Sequence, residues 1–301
     1  MNCNICPRQC NVNRSKQTGF CGVGNNVTIA RASRHMWEEP CISGNSGSGT
    51  VFFSGCNLKC VFCQNEKISR GKTGIELTEE QLGELFLIIN NSGVHNINLV
   101  TPTHFLEPIS KALRNVKHQL TVPVVYNCSG YENPRLIEDM GDIIDIFLTD
   151  MKYMSPVLSQ NYSHCPNYFD VAIQSLDAML NIKNKPMMQE GLLASGVIVR
   201  HLILPSHKDD SISILNYLYE RYGNKQFLVS LMNQFTPINC EAYPKINRRL
   251  TGLEYKRVTD IFEKLGFDGY VQGKLSASED YIPDFDDKGE FLDTLLDYYT
   301  I

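Results

Sequence analysis

No stretch of the chain approaches the roughly 18 consecutive apolar residues that a membrane span needs. Its opening, "MNCNICPRQC", lacks the charged-then-apolar order of a secretory signal. These absences exclude a membrane partner and lead to the expectation of a cytoplasmic protein whose thiols stay reduced. Long basic blocks are missing as well. The 28 Lys and Arg against 33 Asp and Glu leave a net charge of −5, which argues against a nucleic-acid partner, because counterion release needs clustered positive charge. There is no internal repeat of the solenoid kind and no low-complexity tract. Tryptophan is nearly absent; the single one, Trp37 in "HMWEEP", would report on the junction between the amino-terminal segment and the main body of the chain. The remainder, 43% hydrophobic and 20% charged over 301 residues, is ordinary for a globular protein with one large core.

Cysteine, by contrast, is plentiful: 11 residues, an odd count, most of them in the first 63. In a reducing compartment such clustering points to metal rather than to disulfides. In "GCNLKCVFCQN" the thiols of Cys56, Cys60 and Cys63 come directly after an apolar strand-like run, and no fourth cysteine lies close by. Metal clusters held by protein alone usually take four thiolates, so this site reads as left open for another ligand. Zinc completed by a distant Cys or His is the alternative. "CNICPRQC" and "TGFCG" add Cys3, Cys6, Cys10 and Cys21, with turn-forming Pro7 and Gly19 between them. Four thiolates so close together describe a complete second metal site, which would stabilise a segment too short to own a core. Zinc and an Fe-S cluster both fit that spacing; free structural thiols are the bland reading, and Cys41 is a candidate substitute ligand.

From about residue 50 short β-rich runs alternate with longer amphipathic ones. Strands are predicted at 50–54, 96–100, 122–126, 142–148, 196–204 and 226–232. Helices are predicted at 78–93, 107–118, 134–141, a stretch through about 182, 209–223 and 251–266, with capping boxes at Thr78/Gln81 and Thr251/Glu254. Strands joined by crossover helices imply a parallel sheet. Six βα units are too few for a closed eight-stranded barrel, so the expected fold is α/β, a partial (βα)6 TIM-type barrel. The expected organisation is a Cys-rich metal-binding segment over 1–49, the barrel over 50–275, and an acidic tail over 276–301 that could cover the barrel's open side. Chemistry in such a sheet belongs at the carboxyl ends of the strands, where "GCNLKCVFCQN", "TPTHF", "NCSGYENP", "TDMKY" and "PSHKDD" fall.

The spacing C-x3-C-x-aromatic-C, carried by Cys56, Cys60, Phe62 and Cys63, resembles the signature of radical S-adenosylmethionine (SAM) enzymes. Together with "NINLVTPTHF", "YNCSGYE", "DMKY" and "VRHLILP", it resembles an uncharacterised radical SAM group related to the pyruvate formate-lyase activating enzyme. That resemblance implies a 4Fe-4S cluster on the three thiolates, its fourth iron chelated by SAM, and reductive cleavage of SAM to a 5′-deoxyadenosyl radical that abstracts hydrogen. It also implies an electron donor such as a flavodoxin or ferredoxin. Position by position, it implies SAM contacts from Phe62 beside the adenine, from Thr101 and Thr103 where activases carry Gly-Gly-Glu, and from Asn127 and Ser129. Asp150 and Lys152 would lie beside the SAM carboxylate, with Arg200 and His201 at a strand end facing the same cavity. Cys128, His104 and His201 are candidates for a catalytic role, as a hydrogen-atom donor or as acid and base; each is equally readable as a structural residue.

Two substrate classes are implied by the resemblance: a backbone glycine of a partner enzyme, as for an activase, or a small molecule or peptide. A different class of protein, a zinc-stabilised binding module without redox chemistry, fits the cysteines but not the placement of their loop at a strand's carboxyl end.

Overall fold

The computed structural model describes residues 3–71, 73–273 and 283–299. In chain order the elements are β1 (Val27–His35), α1 (Pro40–Ser43), β2 (Ser48–Phe53), α2 (Glu66–Ser69), β3 (Ile75–Leu77), α3 (Glu79–Asn90), β4 (Ile97–Val100), α4 (Leu106–Val116), β5 (Val124–Cys128) and α5 (Pro134–Glu138). They continue with β6 (Ile146–Asp150), α6 (Pro156–Ser163), α7 (Tyr168–Ile182), β7 (Met187–Gln189), β8 (Leu192–Leu202), α8 (Lys208–Tyr222), β9 (Leu228–Met232), α9 (Gly252–Leu265), β10 (Gly269–Val271) and α10 (Glu290–Tyr299).

One sheet runs in the order β10-β9-β8-β6-β5-β4-β2-β1-β3. Neighbours from β2 to β10 along that path are parallel, while β1 pairs antiparallel with both β2 and β3. The six strands of the expected βα units are all present, and the path ends in β10 and β3 rather than closing on itself. This is the partial barrel that six βα units imply. Both expected capping boxes form, Thr78 with Gln81 at the start of α3 and Thr251 with Glu254 at the start of α9.

Strand pleating sorts the sheet into two faces. Phe53, Leu99, Tyr126, Phe147, Val199 and Leu231 join the large core shared with the helices. Their neighbours Val125, Ile146, Leu148 and Ile198 form a second, smaller core, closed by Cys41 and Ile42 of α1. Cys41 is thus packed on the barrel's inner side. Residues 27–35, within the segment expected to precede the alternation, supply β1. Within the acidic tail, α10 packs Phe291, Leu292 and Leu295 into the large core, against α3 and β1. Among the described residues no helix is long and apolar enough to cross a membrane.

Candidate active site

The loop after β2 carries Cys56, Cys60 and Cys63, and its path depends on close backbone approaches. Gly55 has φ +86°, and a Cβ there would meet the Cys21 carbonyl at 2.8 Å, so only glycine fits without strain. The Cys56 N–H donates to that same carbonyl at 3.3 Å, and the Val61 N–H to Tyr162 O at 2.9 Å. Arg8 clamps the loop from the amino-terminal segment, donating to Asn57 O (2.8 Å), Ser163 O (2.8 Å) and His164 O (2.5 Å), with its guanidinium 4.0 Å from the Phe20 ring centre.

Cys60 and Cys63 border a cavity of about 230 Å³ at the carboxyl ends of the strands. Burial, then the neighbouring thiols, push Cys63 up to about 12, and Cys56 is raised for the same reasons. Crowding of buried thiols is what a bound metal cluster, whose ligands are thiolates, relieves. Two sulfurs already accept hydrogen bonds, Cys56 Sγ from Leu58 N–H (3.4 Å) and Cys60 Sγ from the Ser163 hydroxyl (2.9 Å), an arrangement that suits cluster thiolates. The donor set fits a 4Fe-4S cluster with one iron left open.

Across the cavity the inner-facing residues of β5, β6 and β8 form a charged network. Arg200 donates to Asp150 Oδ1 (3.0 Å), Asn127 Oδ1 (2.5 Å) and Glu38 Oε2 (3.4 Å), and Lys152 Nζ reaches Asp150 Oδ2 at 2.6 Å. Burial would raise the Asp150 carboxyl, but the charges of Lys152 and Arg200 hold it below the usual carboxylate range. Burial likewise opposes the charge on Lys152, and Asp150 overrides it, keeping the ammonium protonated. Phe62 stands edge-on to Phe235 at 5.7 Å beside the same cavity. Thr236, also on the wall, has a buried hydroxyl with no hydrogen-bond partner among the described residues.

Of the residues named from sequence, the cavity brings together Cys60, Cys63, Phe62, Asn127, Asp150, Lys152 and Arg200. Others point away from it, and the pleat explains why. His201 comes after Arg200 on β8 and therefore faces the helices, buried with both ring nitrogens bonded, to Met151 O (2.6 Å) and Ser211 Oγ (2.8 Å). Cys128 comes after Asn127 and packs in the large core, 3.5 Å from Thr149 Oγ1. His104 is buried with Nε2 at 2.7 Å from Ser54 O, and burial pushes its ring down to about 4. Thr103 donates to Glu132 (3.0 Å) and Ser129 to Asn57 (3.4 Å), so both hydroxyls are spent on the scaffold. Thr101 N–H bonds Asn127 O at 2.8 Å, in a left-handed turn with φ +59°.

The amino-terminal thiols adjoin this site through the Cys21 carbonyl. Cys6 lies close enough to Cys10 and Cys21 to feel their charge, although burial is the larger cause that pushes it up to about 12. Phe20 N–H donates to Cys10 Sγ at 3.3 Å. Among the described residues no three His, Cys, Asp or Glu side chains converge tightly enough to grip a single metal ion.

Sequence reasoning missed Glu38, which accepts from Asn98 (3.0 Å), Asn127 (3.4 Å) and Arg200 and whose carboxyl is raised by burial. The signal was the acidic pair in "HMWEEP", next to the lone tryptophan, which the structure places 62% exposed at the cavity's edge.

A family model of the Radical SAM superfamily matches residues 50–203. The chain belongs to that superfamily, which implies a 4Fe-4S cluster and SAM as cofactors and radical SAM chemistry as its business. The similarity continues beyond the matched region: uncharacterized protein MJ0674 of Methanocaldococcus jannaschii is 31% identical over 277 residues, covering 89% of this chain and 76% of its own. Among solved structures, methylornithine synthase (PylB) superposes with a TM-score of 0.51 at 13% identity, over 81% of this chain and 77% of that one, a likeness of fold. A domain of pyruvate-formate lyase-activating enzyme from Bacteroides vulgatus gives 0.42 at 10% identity, over 56% of this chain and 91% of that one.

Proposed function

We propose that the protein is a radical SAM oxidoreductase in which Cys56, Cys60 and Cys63 hold the cluster and Phe62, Asn127, Asp150, Lys152 and Arg200 hold SAM. The observation that carries this reading is the meeting of the thiol loop with the Asp150–Lys152–Arg200 network in one cavity. When bound, cluster and SAM supply a 5′-deoxyadenosyl radical for hydrogen abstraction. The chain's own residues orient and shield. Lys152 offers a fixed ammonium for a carboxylate, with Asp150 and Arg200 locking its position, and the apolar wall of Phe52, Phe62 and Phe235 keeps water from the reacting end.

Substrate choice is a matter of the cavity's edge. Trp37 from the amino-terminal segment and Pro283 from the carboxyl-terminal one both border it, and Phe285 packs edge-on against Phe52 at 5.4 Å. A mouth flanked from two sides favours a small molecule or short peptide over the folded partner that glycyl-radical activation requires. The protein is expected to act in the cytoplasm with a flavodoxin or ferredoxin as reductant.

Anaerobically reconstituted protein should carry the absorbance of a cubane cluster and release 5′-deoxyadenosine from SAM on reduction. Replacing Cys56, Cys60 or Cys63 by Ala should abolish both signals, because each replacement leaves the cluster one thiolate short. Undiminished cleavage in any of the three variants would sink the assignment.

A further inference from the structure

Glu38 reaches the main cavity from outside the βα units, out of the turn between β1 and α1. That turn is fixed independently of the carboxylate. The Ser43 hydroxyl accepts the Glu38 N–H (3.0 Å), the Ile42 carbonyl accepts from Asn96 Nδ2 (2.8 Å), and Cys41 and Ile42 fill the smaller core. Holding the segment down therefore does not need the Glu38 side chain.

From this support the carboxylate spans three strands. Oε1 accepts from Asn98 Nδ2 of β4 (3.0 Å) and from Asn127 Nδ2 of β5 (3.4 Å), and Oε2 from Arg200 Nη1 of β8 (3.4 Å). All three neighbours donate, which suits an ionised carboxylate; burial pushes Glu38 up, and the Arg200 charge opposes it. Arg200 in turn gives Nε to Asp150 Oδ1 (3.0 Å) and Nη2 to Asn127 Oδ1 (2.5 Å), so its planar guanidinium is held by three residues at once. With Glu38 in place the Asn127 amide has one good orientation, oxygen toward Arg200 and nitrogen toward Glu38. Turned by half a rotation, its NH2 would face the guanidinium.

Glu38, Asn127 and Arg200 all border the cavity that also holds Cys60 and Cys63. A carboxylate that fixes both a guanidinium and an amide on a cavity wall pre-organises that wall for a ligand, and loss of such support commonly costs about tenfold or more in binding or activity. We propose that Glu38 is a positioning residue for SAM, acting through Arg200 and Asn127, whose orientation toward the cavity it sets. The inference rests on the radical SAM reading, in which those two residues hold SAM, and adds a residue from outside the matched region 50–203.

The test titrates SAM calorimetrically into reconstituted, unreduced protein, and then follows deoxyadenosine release on reduction over a range of SAM concentrations. Glu38→Gln is expected to raise the SAM dissociation constant and KM about tenfold while kcat at saturating SAM stays within about twofold, with iron content and the circular dichroism spectrum unchanged. Glu38→Asp keeps the charge but withdraws it by one methylene. It should recover part of the affinity, and it decides the matter where Glu38→Gln fails to fold. Wild-type affinity in every folded variant overturns the proposal. So does a loss of affinity matched by loss of iron or of folded structure, the mark of a residue that merely holds the fold. In an Arg200→Lys background, where the guanidinium is gone, Glu38→Gln should cost less than about threefold more; an undiminished loss there means that Glu38 touches SAM itself and overturns the positioning role. Wild-type protein that neither binds SAM nor releases deoxyadenosine counts against the radical SAM reading and what is built on it, whereas SAM binding indifferent to Glu38 counts against this inference alone.

Discussion

Glu132 shows how a single buried carboxyl couples the scaffold to pH. It lies at the outer side of the β5–α5 connection, fully enclosed, accepting from Thr103 Oγ1 and Tyr126 OH at 3.0 Å each. Burial pushes its carboxyl up from the ordinary 4.5 to about 7, against the lowering effect of those two donors. The folded state therefore holds the proton more tightly than the unfolded chain. Its stabilising contribution is complete below the unfolded value and is lost as pH rises through 7, a change of roughly 3 kcal/mol between the limits. Wild-type protein should lose melting temperature between pH 5 and 8, and Glu132→Gln should flatten that part of the profile. Parallel profiles for the two proteins would show that Glu132 ionises without cost. Glu38 belongs to the same scale but was harder to find. Its contact with Arg200 spans 162 positions of sequence, and no local spacing rule connects an acidic pair before a short helix to a strand so far away.

Elements were legible where their periodicity is long and their ends are signalled. The two capping boxes and the apolar runs of β2, β4, β5, β6, β8 and β9 fall within a few residues of their expected places. What escaped notice has weak local signals: β3, β7 and β10 are three residues each, and β1, "VTIARASRH", mixes two arginines into its alternation because only part of it is covered. The pleat also decided between adjacent candidates, turning Arg200 inward and His201 outward. Sequence alone named both, because the phase of a strand depends on which face the helices cover. The junction of β5 and β6 depends on Gly130, at φ +81°, where a Cβ would collide with the Asp150 carbonyl. Gly130→Ala should therefore destabilise the fold by about 1 kcal/mol or more and displace Asp150 and Lys152, weakening SAM binding. Thr251→Ala, which removes the cap of α9, should cost about 1 kcal/mol as well but leave SAM affinity intact. Melting temperatures with SAM titrations on the pair separate a site effect from a loss of stability; equal SAM affinities in the two variants would dissociate Gly130 from the site.

At the scale of the whole molecule, the carboxyl-terminal segment meets the amino-terminal one at β1. β1 receives Lys288 O from the carboxyl-terminal segment at Ala32 N–H (2.8 Å), and Arg31 binds the carbonyls of Asp284 and Asp287 at 2.8 Å each. The amino-terminal stretch up to β1 has no helix or strand of its own among its described residues, and few of its side chains are buried. Arg8 and Arg14 anchor it at two points, on the thiol loop and on His104 O. Two cationic anchors and a handful of buried side chains are little to order such a segment, and a metal on Cys3, Cys6, Cys10 and Cys21, zinc or a second Fe-S cluster, would supply the missing constraint. The triple replacement of Cys56, Cys60 and Cys63 by Ala isolates that site. If the amino-terminal thiols bind metal, elemental analysis of the triple variant should still find zinc or iron, and a strong chelator should release it while opening the segment to limited proteolysis before the barrel. A triple variant that carries no metal, and whose amino terminus resists protease regardless of chelator, would leave those four thiols as packing residues and the arginine anchors as sufficient.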